Sequence, residues 1–149
     1  MSVLLDLFQL ATDFIMNSPF LIIRRLYLSI FARIGTGCFI ARKCDVRFPK
    51  HLIIGNNSVI NKLCTVDCRG GTIIIEDNVD IAQQVNIWTL EHDISSPTHS
   101  TKGGDVIIEH HCWISSRATV LPGVHIGYGA VVEKAFLKKK RYFNEVVKK

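Results

Sequence analysis

Branched aliphatic residues spaced six apart, small residues four places after them, and one polar interruption predict a parallel β-helix, a triangular prism of stacked coils. The spaced residues are Ile34, Ile40 and Val46; Ile54, Ile60 and Val66; Ile75, Ile81 and Ile87; then, after a gap, Ile108, Ile114, Val120, Ile126 and Val132. Fourteen anchors in four in-phase blocks are far more than chance places in 149 residues. At this period each hexad is one short strand plus a turn. Three hexads close one coil, and the inward anchors stack into a continuous core.

The position four after the anchor is small: Cys38, Cys44, Ser58, Cys64, Val79, Val85, Cys112, Ala118, Val124 and Ala130. Four of the five cysteines fall on it, so they read as small buried hydrophobes rather than metal ligands or disulfide partners. Only Cys68 lies off the pattern. Gly35, Gly55, Asn61 and Gly127 directly follow anchors, where a turn with unusual backbone angles is expected.

Ahead of the prism, residues 1–33 read as a helical cap. Leu4, Leu7, Leu10, Ala11, Phe14 and Ile15 recur at helical spacing, and Asn17-Ser18-Pro19 breaks the run with a cap and a proline at the first position of the next helix. The second segment carries Leu21, Ile22, Arg24, Arg25, Tyr27 and Leu28. It covers the prism end or, with Arg24 and Arg25 beside Phe20 and Ile23, lies on a membrane surface as a peripheral contact. The prism proper runs over residues 34–132. Within it, residues 88–107 carry no anchors and form a polar excursion with Pro97 as its one proline. A long loop leaving a rigid scaffold points to function.

Composition bounds the remaining choices. At 48% hydrophobic and 21% charged the chain suits one globular domain and excludes collagen-like or wholly disordered classes. A net charge of +5 and a pI near 9.1 raise nucleic acid as a partner. That charge sits in residues 133–149, where seven cations face two anions, while residues 1–132 carry eleven of each sign. With no aromatic platform in a basic groove, nucleic acid is set aside. The basic segment is expected to be a solvated, partly helical tail, with an anionic membrane contact as the alternative. The N-terminus has no basic n-region, Asp6 interrupts its apolar run, and the cysteine count is odd. The expected location is a reducing cytoplasm.

Glu91-His92-Asp93, at the start of the excursion and followed by His99, Thr101 and Lys102, is the candidate chemistry. Histidine takes a proton from a hydroxyl near neutral pH, and a neighbouring carboxylate or carbonyl can hold its tautomer. His51, His92, His99, His110, His111 and His125 also raise a zinc reading, but no strand or helix spacing gathers three of them, and no metal is expected. Trp113, before Ile114-Ser115-Ser116-Arg117, reads as a corner filler or as an aromatic wall beside backbone N–H groups able to hold an oxyanion.

The hexads, the Asn61 to Gly71 stretch, Trp88-Thr89-Leu90-Glu91-His92-Asp93, and the block from Trp113 to Val124 resemble the hexapeptide-repeat O-acetyltransferases. The closest branch is the maltose, galactoside, nodulation-factor and colanic-acid acetyltransferases, and the match covers about residues 30–132. The resemblance implies a left-handed β-helix and a homotrimer with each site between neighbouring prisms. It implies acetyl-CoA as cosubstrate and a sugar or oligosaccharide acceptor in surface-polysaccharide assembly. His92 matches the general base, and Ser116 the serine whose backbone N–H faces the thioester oxygen. Trp113, Ser115 and Arg117 match the cofactor channel; Asn61, Asp67 and Glu91 match the acceptor side, with Asp67 equally readable as an ordinary turn aspartate.

Two departures matter. Where the family has Trp-Ile-Gly-Ser, Ser115 replaces the glycine and narrows the channel. After Val132, where relatives continue through further hexads, this sequence turns basic and loses the pattern. That implies a truncated or altered C-terminus and the loss of much of the pantetheine and nucleotide site. The competing expectation is therefore a non-catalytic trimeric β-helix that no longer binds CoA, with a zinc-dependent hydratase-like enzyme ranked last.

Overall fold

The structure, a computed structural model, describes residues 3–133 and three strand segments beyond them. Helices α1 (Val3–Met16) and α2 (Leu21–Phe31) precede a three-faced stack of short parallel strands. Face one stacks Arg33–Ile34, Leu52–Ile54, Ile73–Ile75, Val106–Ile108, His125–Ile126 and Arg141–Tyr142. Face two stacks Phe39–Ile40, Val59–Ile60, Asp80–Ile81, Trp113–Ile114, Val131–Val132 and Val146–Val147. Face three stacks Asp45–Arg47, Thr65–Asp67, Asn86–Trp88, Thr119–Val120 and Phe136–Leu137. This is the expected β-helix. Register places anchor on anchor, as in the column Ile40, Ile60, Ile81, Ile114 and Val132. All anchors but half-buried Ile34 are buried, and so is every small residue at the fourth position.

At the first and second corners, and at the third after Val120, one face gives way to the next through a left-handed residue, and its place corrects the expectation. It stands three after the anchor, at Gly37, Lys43, Asn57, Leu63, Asn78, Gln84, His111, Arg117, Gly123 and Gly129, all with positive φ. Glycine directly after the anchor serves a different need. A Cβ on Gly55 would lie 2.7 Å from the Asp77 nitrogen and the Glu76 carbonyl carbon of the next coil, closer than real contacts allow. Neighbouring coils approach there backbone to backbone.

Two hydrogen-bond ladders tie coil to coil. At the fourth position the thiols of Cys38, Cys44, Cys64 and Cys112 donate to the carbonyls of Gly55, Asn61, Ala82 and Gly127, one coil ahead. The Ser58 hydroxyl donates to Glu76 O at 2.6 Å in the same way. The cysteines are therefore small, weak donors inside the core. All five are free and buried; burial, with the Asp67 charge beside it, pushes the Cys68 thiol up to about 12. The second ladder lines the first corner, between faces one and two. Thr36 N–H donates to Asn56 Oδ1, Asn56 N–H to Asp77 Oδ1 and Asp77 N–H to His110 Nδ1, each acceptor again one coil ahead.

The helices close the starting end of the stack. Gln9 donates to Val46 O, Arg24 Nε to Ile40 O, Arg25 to Gly35 O, and Lys43 N–H to Met16 O, so first-coil backbone groups without a preceding coil find partners. Arg24 is consequently buried and bound to backbone, which corrects its expected place on a lipid-facing side. Helix α2 begins at Leu21 rather than at Pro19, and the Ser18 hydroxyl accepts the Phe20 N–H at 3.3 Å.

Beyond Val132 the basic segment was expected to be solvated and partly helical. Instead its strands extend all three faces, pairing Val120 with Leu137, Ile126 with Tyr142 and Val132 with Val147. From Val132 the aligned positions fall five residues apart, which is why a six-residue period does not reveal them. The other residues of that segment lie outside the described residues.

Three consequences can be measured. Gly55→Ala should lower the unfolding free energy in urea by about 1–3 kcal/mol through backbone collision. Leu63→Gly, at φ +63, should stay within about 1 kcal/mol of the parent, because relief of the left-handed strain offsets the added chain entropy. The Asn56 N–H holds the Asp77 carboxyl below the ordinary carboxylate range. Its contribution is complete above that range and lost as pH falls through the folded-state value. Asp77→Asn, which keeps the acceptor oxygen, should therefore lose stability less steeply than the parent when unfolding is followed from pH 7 to 3.

Candidate active site

The excursion is not irregular. Leu90–His92 and Thr101–Gly103 form an antiparallel hairpin that pairs Glu91 with Lys102 and His92 with Thr101. It projects from the third corner, between faces three and one, and its base is fixed by buried Thr89. The Thr89 N–H and hydroxyl both donate to Asp67 O, at 3.0 and 2.7 Å, and its oxygen accepts the Gly70 N–H at 3.0 Å. A Cβ on Gly103 would collide with the Gly70 backbone, and one on Gly70 with the Thr89 carbonyl and Leu90, so neither position has room for one.

His92 stands exposed on this hairpin with Nδ1 2.7 Å from His99 O. A carbonyl only accepts, so Nδ1 carries the proton and Nε2 keeps its lone pair in the neutral ring. A backbone carbonyl, rather than either adjacent carboxylate, orients the imidazole. Glu91 and Asp93 both face Lys102, at 3.4 and 3.7 Å. The Ser95 hydroxyl and N–H hold the Asp93 carboxyl below its ordinary range. Asp67, at the same corner, is fully buried, and its carboxylate is taken by Arg69: Nε at 3.0 Å from both oxygens, Nη2 at 2.6 Å, and the Arg69 N–H at 3.0 Å. Its described contacts are those of a structural anchor.

The second corner, between faces two and three, holds the other candidates. Asn61 and Ser116 line one groove with Ala41, Arg42, Lys62 and Gln83. Trp113 is half-exposed on the adjoining strand, and Arg117 donates to Gln84 at 3.0 Å. Ser115 donates its N–H to Val132 O, while its hydroxyl is buried without a partner among the described residues. The N–H groups of Ser115 and Arg117 are used, by Val132 O and Gln83 O, whereas the Ser116 N–H meets no acceptor among the described residues. The same holds for Arg42, Lys62 and Gln83, each two residues after its anchor. First-corner residues at that offset have their N–H groups capped by side chains. The second corner alone therefore presents a column of N–H groups able to receive an anion or oxyanion.

The candidates thus separate into two sets. Asp67, Glu91 and His92 stand at the third corner; Asn61, Trp113, Ser115, Ser116 and Arg117 stand at the second, across face three. Sequence reasoning passed over Arg69, Thr89 and the column Arg42, Lys62 and Gln83. The column was readable from its common offset to Ser116; the other two show only once the hairpin is in place. Among the described residues no three His, Cys, Asp or Glu side chains gather to hold a metal ion.

The stacked faces, the helical cap and the hairpin define a left-handed hexapeptide-repeat β-helix protein. Its fold is that of solved acetyltransferases. A hexapeptide-repeat acetyltransferase of Vibrio cholerae O1 biovar eltor, complexed with acetyl coenzyme A, aligns with 95% of this chain and 81% of its own at TM-score 0.78 and 20% identity. A galactoside acetyltransferase in complex with coenzyme A aligns with 98% and 78% at TM-score 0.84 and 23% identity. A maltose O-acetyltransferase of Clostridium difficile 630 aligns with 95% and 84% at TM-score 0.63 and 23% identity. In sequence the chain is similar to WcaF of Escherichia coli K12, named for acetyl transfer in colanic acid biosynthesis, at 29% identity over 113 residues. The Shigella flexneri protein of that name matches equally. The match takes in 73% of this chain, which spans 60% of the length of these relatives. No family model matches.

The Asp67 contacts lead to a stability test. Asp67→Ala should cost about 2–3 kcal/mol in urea unfolding, the range for buried hydrogen bonds to charged groups. Glu91→Ala, whose partner is half-exposed, should change stability by less than about 1 kcal/mol.

Proposed function

We propose that the chain is an acetyl-CoA-dependent O-acetyltransferase of a sugar or oligosaccharide hydroxyl, acting as a homotrimer with sites between neighbouring prisms. The observation that carries this reading is the separation of a tautomer-fixed His92 from a Ser116 N–H that has no acceptor among the described residues, at opposite edges of one face. Side-by-side prisms would join the third corner of one to the second corner of the next. In that arrangement His92 Nε2 takes the proton of the acceptor hydroxyl as its oxygen attacks the thioester carbonyl. The carbonyl oxygen becomes an oxyanion against the Ser116 N–H. Collapse breaks the carbon–sulfur bond, and the CoA thiolate leaves with the proton held on His92. Asn61 and Glu91 sit where an acceptor would meet polar groups, and Trp113 and Arg117 flank the thioester side. The similarity to WcaF supports a surface-polysaccharide acceptor, and five buried free thiols suit a reducing cytoplasm.

Calorimetric titration with CoA should show saturable binding below about 1 mM, the top of the usual KM range. His92→Ala should keep that affinity while kcat falls about 10²–10⁴-fold. Absence of CoA binding would instead identify a β-helix without catalytic activity.

A further inference from the structure

Helices α1 and α2 turn an apolar side away from the prism. On α1 the buried face holds Thr12 and Met16, and the opposite face carries Leu7, Leu10 and Phe14, with Phe14 83% exposed. On α2 Arg24 and Leu28 are buried, and Ile22, Leu26 and Ile30 are outward and more than 60% exposed. Contiguous apolar surface of this kind marks a contact surface. The helices bond to first-coil backbone, so this surface is the flat base of the prism.

Charge selects the occupant. The helices and first coil, residues 3–51, hold seven cations and three anions, Asp6, Asp13 and Asp45. Exposed Arg33, Arg42, Lys43 and Lys50 edge the base, while the acidic excess of the remaining prism lies in later coils. Helices of 14 and 11 residues are too short to cross a bilayer, and no helix among the described residues is long and apolar enough to do so. An apolar disc with a cationic rim matches the interface of an anionic membrane. We propose that the helical base of the prism docks flat on an anionic lipid bilayer, α1 and α2 lying in the interfacial plane. Side-by-side prisms would present their bases in one plane and bind with multiplied strength.

The test is flotation of the full chain with vesicles of phosphatidylglycerol and phosphatidylcholine, against phosphatidylcholine alone. The chain should float with the anionic vesicles and be released by salt. Leu10→Ser with Leu26→Ser should weaken binding at least about tenfold. Arg33→Gln with Lys50→Gln should weaken it about fivefold per charge removed. Circular dichroism and sedimentation velocity on each variant check folding and assembly. Failure of the parent to bind anionic vesicles overturns the proposal, as does binding that neither double variant weakens. A serine variant that changes only the oligomeric state, beside a parent that does not float, would mark the face as a contact between protein chains. CoA binding and acetyl transfer to a soluble acceptor are read separately, so neither result decides the other.

Discussion

Triangular coils stack in register here because the described first and second corners are each turned in the same six residues, through a left-handed residue three after the anchor, a turn repeated at the third corner by Gly123. Seven of those ten corner residues are not glycine. Each such residue carries a strain of about 1–2 kcal/mol. Burial of an aliphatic anchor, worth about 1.5–3 kcal/mol, is comparable or larger and recurs at every turn. The balance leaves little interior for anything else. With one large side chain per face, the fourth position must be small, and a thiol or hydroxyl fits there while bonding a carbonyl in the next coil.

The prism has three kinds of corner. At the first, side chains from a neighbouring coil cap the outward N–H groups, so the edge is sealed and structural. At the second, the equivalent N–H groups have no described acceptor, beside Arg42 and Lys62. At the third, the coil is interrupted and the His92 hairpin leaves it, held at its root by Thr89 and Asp67. The two corners with chemical capacity border the same face, which links the proposed reaction to side-by-side association.

Much of this was legible in the sequence because a six-residue period needs only the recurrence of Ile and Val. The segment after Val132 escaped because its spacing contracts to five and Tyr142 occupies one aligned position. The left-handed residue escaped because Lys43, Leu63, Gln84 and Arg117 occupy it, none of them a turn-forming type. The hairpin escaped because three-residue strands carry no periodicity. Of the candidate site, His92 was singled out by its place in the excursion and Ser116 through family resemblance, while the His99 carbonyl that fixes the imidazole is a backbone group no side-chain pattern announces. Neutrality of residues 1–132 was correct as a sum and concealed an uneven distribution, with cations gathered at the base.

The side-chain ladder at the first corner has a direction. Asn56 completes the turn that Thr36 begins, Asp77 completes that of Asn56, and His110 completes that of Asp77. That direction holds for the first three turns only: the N–H groups of His110 and Tyr128 are capped by Glu76 and Glu109 of the preceding coil, while the helices finish the starting end. In a chain made from its N-terminus, the first three turns at this corner would stay open until the next coil arrives, whereas those at His110 and Tyr128 would find their caps already in place.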